Sequence, residues 1–202
     1  MKNNQVSISP GNIKMGAIPS VSLPACITCN PSAPCFAKCY ARRLEKRYKN
    51  VANAYARNLD IMCNDPATYW AQVKGAASMT RFFRFHVSGD IPHEIYFLEM
   101  INTAKQLPST KFLAFTKQYN IVNTVLDLPG IELPENLIII FSNWGAWKCE
   151  NPHNLPVCEV ILKGDAPADG WKICGGNCTE CACRGVGCWE LKKGDTIAIY
   201  EH

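Results

Sequence analysis

Twelve of the 202 residues are cysteine, and eleven of those positions fall where chemistry could use them or beside a strand end. Cys26, Cys29, Cys35 and Cys39 lie in one short stretch, and Cys174, Cys178, Cys181, Cys183 and Cys188 in another. Cys63 reads as an ordinary small hydrophobe. Cys149 and Cys158 stand near a predicted strand end. Thiolates are soft ligands that select zinc, copper(I) or iron–sulfur. The opening residues MKNNQ carry no apolar signal core, so a cytoplasmic location is expected. In that compartment dense cysteine points to metal or catalysis rather than disulfides.

Spacing then separates the metals. Zinc knuckles usually stand roughly 12–20 residues apart, whereas Cys26-x2-Cys29 and Cys178-x2-Cys181 are far more widely separated. Each group instead holds enough thiols by itself for a four-cysteine iron–sulfur centre. The run CGGNCTECACRGVGC has glycines that permit unusual dihedrals and let backbone N–H groups face sulfide. It is short of apolar residues, so metal is expected to organise it. Ligation deprotonates the thiols. Two oxidised 4Fe-4S centres, each about −2 with their thiolates, would offset the formal charge of +4. The two loops could also share one larger centre.

The elements that must position these loops are legible in the periodicity. Breakers at Pro10-Gly11, Pro19 and Pro24 make residues 1–25 irregular. Tyr40, Leu44, Tyr48, Val51, Tyr55, Leu59 and Met62 recur at helical spacing and predict one long helix with an apolar stripe. Arg42, Arg43, Lys46, Arg47 and Lys49 sit mostly off that stripe. They read either as a solvated face or as a patch for an anionic partner such as nucleic acid. Asp65-Pro66 is a helix start. Strands are predicted over 81–87, 111–116, 137–142, 157–162 and 196–200, with helices over 92–107 and 118–126. On the 92–107 helix Ile95, Leu98, Ile101 and Ala104 form the apolar row. The alternation argues for βαβ units and a parallel sheet.

In such sheets sites form at the C-terminal strand ends. There stand His86, Ser88, Gly89 and Asp90, then Lys117, then Asn143, all candidate cofactor-binding residues. Composition is globular, at 48% hydrophobic and 19% charged. The longest aliphatic and aromatic run, 137–141, is far short of the about 20 residues a membrane span needs.

Pro34-Cys35-x3-Cys39-Tyr40-Ala41, a long helix, a strand ending His-x-Ser-Gly-Asp and then Phe-x-x-Phe-Thr-Lys together resemble the phage-encoded gene product eighty-eight proteins. The resemblance runs over 20–202. It takes in Ser22-Leu23-Pro24, Cys-x-Gly-x-Cys-x-x-Cys and the closing IAIYEH. It implies an α/β fold like the partial TIM barrel of radical SAM enzymes, with a Cys-rich N-terminal loop and a Cys-rich C-terminal extension. Residues 1–202 would form a single domain: segment 1–40, a βα core over 41–165 and a cluster segment over 166–202. Cys29, Cys35 and Cys39 match the family's first set, and Cys174, Cys178, Cys181 and Cys188 its second; Cys26 and Cys183 are additional. The resemblance implies a bacterial host and one or two iron–sulfur clusters, 4Fe-4S above all. It makes S-adenosylmethionine a candidate cofactor, held at Ser88-Gly89-Asp90, and an electron-transfer or small-molecule partner is expected. Radical SAM enzymes carry CxxxCxxC, yet Arg42 stands at the third position after Cys35-x3-Cys39. Cys29 or Cys26 would replace it, and with both bound the cluster would be closed to S-adenosylmethionine. Two other classes compete: a zinc-stabilised nucleic-acid-binding module using the 42–49 face, and a disulfide scaffold.

Overall fold

The computed structural model describes residues 4–162 and 164–201, so the terminal His202 of the family resemblance lies outside the described residues. One mixed sheet carries the fold. Its strands are β1 (Ile8–Ser9), β2 (Ser20–Val21), β3 (Phe82–Phe85), β4 (Lys111–Thr116), β5 (Leu137–Trp144), β6 (Val157–Ile161), β7 (Lys172–Ile173) and β8 (Thr196–Tyr200). They lie in the order β1-β2-β3-β4-β5-β6-β8-β7. Among these described strands only the β1–β2 pair is antiparallel. The parallel α/β reading stands at that level. The sheet is open, with β1 and β7 at its edges.

The reading of 1–25 as irregular is corrected, since β1 and β2 fall inside it. Two-residue strands are too short to show alternation. β2 joins the sheet through its main chain, with Arg84 N–H donating to Pro19 O and His86 N–H to Val21 O. β7 escaped prediction for the same reason.

The helices are α1 (Tyr40–Arg47), α2 (Lys49–Asn64), α3 (Pro66–Ser78), α4 (Glu94–Gln106), α5 (Tyr119–Leu126) and α6 (Cys178–Arg184). From β2 to β6 the strand order never reverses, and the crossover helices gather on one face. Ile61, Trp70, Phe97 and Val122 pack there against Phe83, Phe85, Phe112, Ile139 and Phe141. Alternate residues point the other way. Phe82, Leu113, Phe115, Ile140 and Cys158 meet Met15 and Ile18 from the N-terminal segment, and Ala182, Trp189 and Leu191 from the C-terminal one. Both faces are therefore covered, which is why the strands read as continuous apolar runs. The Cys-rich tail is the lid of the second face. Its indole Trp189 is 1% exposed and stands edge-on to Phe82, with ring centroids 5.0 Å apart.

Two helix expectations change. The stripe from Tyr40 to Met62 is two helices, broken where Tyr48 adopts an extended backbone. Ile61 and Met62 enter the core, while Tyr40, Leu44 and Tyr48 stay exposed. On α4 the sheet takes Tyr96, Phe97, Met100, Ile101 and Ala104, and Ile95 faces solvent. Asp65 caps α3 as its sequence predicts, accepting from Thr68 N–H at 3.1 Å. Among the described residues, no helix is long and apolar enough to cross a membrane.

Candidate thiol-lined site

The first cysteine loop is fastened across the C-terminal ends of β3 and β4. Leu23 N–H donates to Ser88 O at 3.0 Å. Asp90 N–H donates to Thr28 Oγ1 at 2.9 Å, and Gln118 Nε2 to Thr28 O at 2.9 Å. From α1, the Glu45 carboxylate reaches inward to accept from Ala25 N–H and Ser88 Oγ, each at 2.8 Å. These ties bring Cys26, Cys29, Cys35 and Cys39 together. Burial, then the charge and hydrogen bond of Cys39, raise the Cys26 thiol, with Cys35 adding to the shift and Arg42 opposing it. Burial pushes Cys29 up to about 12, with Asp90, Cys26 and Cys39 adding to the effect. Burial also raises Cys35, against the pull of Lys117. Cys39 caps α1, its sulfur accepting from Arg42 N–H at 3.5 Å.

The second group is Cys174, Cys178, Cys181 and Cys188, all packed against the second core. Burial is the main cause raising Cys178, Cys181 and Cys188, and Cys174 adds to each. Arg84, from β3, opposes the shift at Cys178 and Cys188. Its Nη1 stands 3.8 Å from Cys178 Sγ, its guanidinium lies 4.9 Å from the Phe115 ring, and its buried Nε has no partner. The backbone comes close to these sulfurs: a Cβ at Gly187 would stand 3.2 Å from Cys181 Sγ. Among the described residues, no three or more Cys, His, Asp and Glu side chains are set as a ready cage for a single metal ion.

Cys158, which reads in the sequence as a possible burial cysteine, belongs to this neighbourhood. Burial pushes it up to about 12; Cys174 and Glu159 raise it further, while Lys117 and Arg84 oppose. Lys117 thus acts on Cys35 of the first group and Cys158 beside the second. Arg84 acts on Tyr40, next to Cys39, and on Cys178 and Cys188. Cys183 is exposed and lines a separate groove with Ala17 and Met79. Cys63 is exposed, and Cys149 is half-buried with its N–H on Asn143 Oδ1.

The other predicted site residues build the frame. Asp90 is buried, its carboxylate accepting from Thr116 Oγ1 at 2.6 Å, Ile91 N–H at 2.8 Å and Lys117 N–H at 2.9 Å. Gly89 lets Leu23 and Thr28 approach, and Ser88 is taken by Glu45. Asn143 donates to Glu159 at 2.7 Å, and Glu159 pairs with Lys148 at 2.6 Å. Lys117 Nζ donates to Ser142 Oγ at 2.7 Å. Its charge opposes the upward shift of Cys35, while that of Asp90 adds to it. Arg84 and Glu45 were missed by sequence reasoning. Arg84 had a signal: an arginine inside the aromatic strand RFFRF needs something on its own face to meet the charge.

His86 leaves the site. Its backbone is left-handed, with φ of 58°, and the ring turns to the helix face. There Nε2 lies 3.0 Å from Tyr96 Oη, which is 2.9 Å from Tyr69 Oη. Burial, helped by Arg84, pushes its pKa down to about 3. The unfolded value is about 6.5. Below that pH the unfolded chain binds the proton and the native state refuses it, so stability falls as pH drops from about 6.5 toward 3. The loss at pH 5 is about 2 kcal/mol. His86→Asn, which tolerates the left-handed backbone, is expected to lose correspondingly less between pH 7 and pH 5 in denaturant midpoints. An equal drop in both proteins would refute the assignment.

No curated protein and no solved structure matches the chain. The family described as Gene product 88 matches over residues 2–195, nearly the whole length of the fold just described. The chain belongs to the phage gene product 88 family.

Proposed function

We propose that this chain is an iron–sulfur redox protein, with Cys26, Cys29, Cys35 and Cys39 holding one centre and Cys174, Cys178, Cys181 and Cys188 the other. The observation that carries the reading is convergence. Two segments more than a hundred residues apart are carried by one sheet, where Lys117 acts on Cys35 of the first set and on Cys158 beside the second, and Arg84 acts on Cys158, Cys178 and Cys188. The donors are all sulfur, which suits soft metals. The close approach of Gly187 to Cys181 suits a bulky inorganic body beside bare backbone. When bound, such centres supply one-electron transfer. The chain's own part is to hold thiols that burial keeps protonated until ligation removes the proton, to offset the resulting charge with Arg84 and Lys117, and to exclude water with Trp189 and Phe82. With Cys26 added to the family's first three cysteines, all four irons of a cubane would be ligated. None remains for S-adenosylmethionine, so we read electron transfer ahead of radical chemistry.

Iron and sulfide analysis with electron paramagnetic resonance on anaerobic protein is the test. Brown protein with about eight irons and as many sulfides per chain is expected for two four-iron centres. Colourless protein with zinc and no sulfide would end the proposal. Cys26→Ala should retain iron and change the resonance spectrum. An unchanged spectrum would show that Cys26 is no ligand.

A further inference from the structure

We propose that the outer face of α1 binds single-stranded nucleic acid. Lys38, Arg42, Arg43, Lys46, Arg47 and Lys49 are all exposed, and among the described residues none is in an ion pair. The one acid in that stretch, Glu45, is half-buried and turned inward onto Ala25 and Ser88. Among the described residues, no carboxylate pairs with these cations. The apolar residues of the same stretch are open as well: Tyr40 is 54%, Leu44 46% and Tyr48 45% exposed. Tyr40 and Leu44, four apart, share one side of α1, and Tyr48 follows at its C-cap in extended backbone. The structure therefore presents two aromatic rings set among uncancelled cations.

That combination chooses among anionic partners. Single-stranded nucleic acid offers both phosphates and free base faces, and base–aromatic stacking needs no sequence readout. A duplex hides its base faces. A vesicle would find Leu44 as the single aliphatic side chain along the row, too little to bury in acyl chains. A second copy of this face would bring like charges together. The rings are also held ready. Tyr40 donates its hydroxyl to Val87 O at 2.9 Å, which anchors the ring to the end of β3. The Arg47 guanidinium lies 5.4 Å from the Tyr48 ring centroid, extending that aromatic surface with a cation.

Fluorescence anisotropy with the full-length, anaerobically purified chain tests this. The probes are a labelled oligothymidylate, an oligouridylate, the matching duplex and phosphatidylserine vesicles. Binding to a single strand is expected, tighter than to the duplex, with the two oligonucleotides separating DNA from RNA as the source. Arg43→Glu with Lys46→Glu should weaken binding at least about tenfold and flatten the slope of log affinity against log salt by about 1.4. Tyr48→Ala should weaken it about tenfold with that slope unchanged. Circular dichroism and iron content should match the parent in both variants. Absence of binding, equal affinity for duplex, binding to vesicles alone, self-association abolished by the charge reversal, or variants that bind like the parent would each overturn the proposal.

Discussion

Cys188→Ser is expected to remove about half of the iron and to loosen the C-terminal lid, whereas Cys183→Ser leaves both unchanged. The two residues lie five positions apart in one glycine-rich run. They differ in surroundings. Burial pushes the Cys188 thiol up, with Cys174, Cys158 and Cys178 adding to the shift and Arg84 opposing it. Cys183 is exposed on the other side of α6, in the groove with Ala17 and Met79. Serine is close in size to cysteine but a hard, poorly ionised oxygen, and it does not replace a soft thiolate. If packing alone holds the lid, neither variant moves far from the parent. If ligation holds it, losing one ligand at Cys188 releases the tail. Amide hydrogen exchange over 172–190 is then at least about tenfold faster, since exchange reads the local opening equilibrium. Equal iron and equal protection in the two variants would sink the assignment of Cys188.

The lid has some packing of its own, and this is where sequence reading fell short. The Cys-rich run looked too poor in apolar residues to fold. Yet Ala182 and Trp189 are buried, and Leu191 just beyond it closes the same core. Cys178, Cys181 and Ala182 also fall at helical spacing, as α6 uses them. Cysteine was counted as a ligand and not as a hydrophobe, so α6 went unseen. The central strands were legible because burial on both faces leaves a continuous apolar run, as in LIIIF of β5. The stripe from Tyr40 onward misled for the opposite reason. Its period is helical throughout, but periodicity does not say which end of the stripe meets a core. At Tyr48 the backbone turns away, leaving the first three members in solvent. His-x-Ser-Gly-Asp drew notice as a strand end, and it does sit beside the first thiols. What one sequence could not tell is that His86 turns to the far face while Ser88 and Asp90 spend their bonds holding the loop.

Gly89→Ala should act on that holding directly. Gly89 has φ of 76°, and a Cβ there would come within 2.8 Å of both Leu23 O and Thr28 Oγ1, and 2.9 Å of Leu23 Cβ. The left-handed backbone alone costs about 1–2 kcal/mol, and the overpacking about 1–3 kcal/mol more. A midpoint lower by about 5–15 °C follows for a chain of this size. Gly130→Ala is the control: its φ is 77°, but nothing lies within 4 Å of the added carbon, so it pays only the backbone term. The crowding at Gly89 has a direction. Thr28 lies between Cys26 and Cys29 and is bound to Asp90 N–H and Gln118, so moving it moves the first thiols and not the second. Gly89→Ala is therefore expected to lose the iron of the first set and keep the other half, and Gly130→Ala to keep all of it. In a Cys188→Ser background the same substitution should leave almost none. Should either single change already empty the protein, the two loops hold one shared centre. Should Gly89→Ala melt and bind iron as Gly130→Ala does, the loop is not fastened at Gly89.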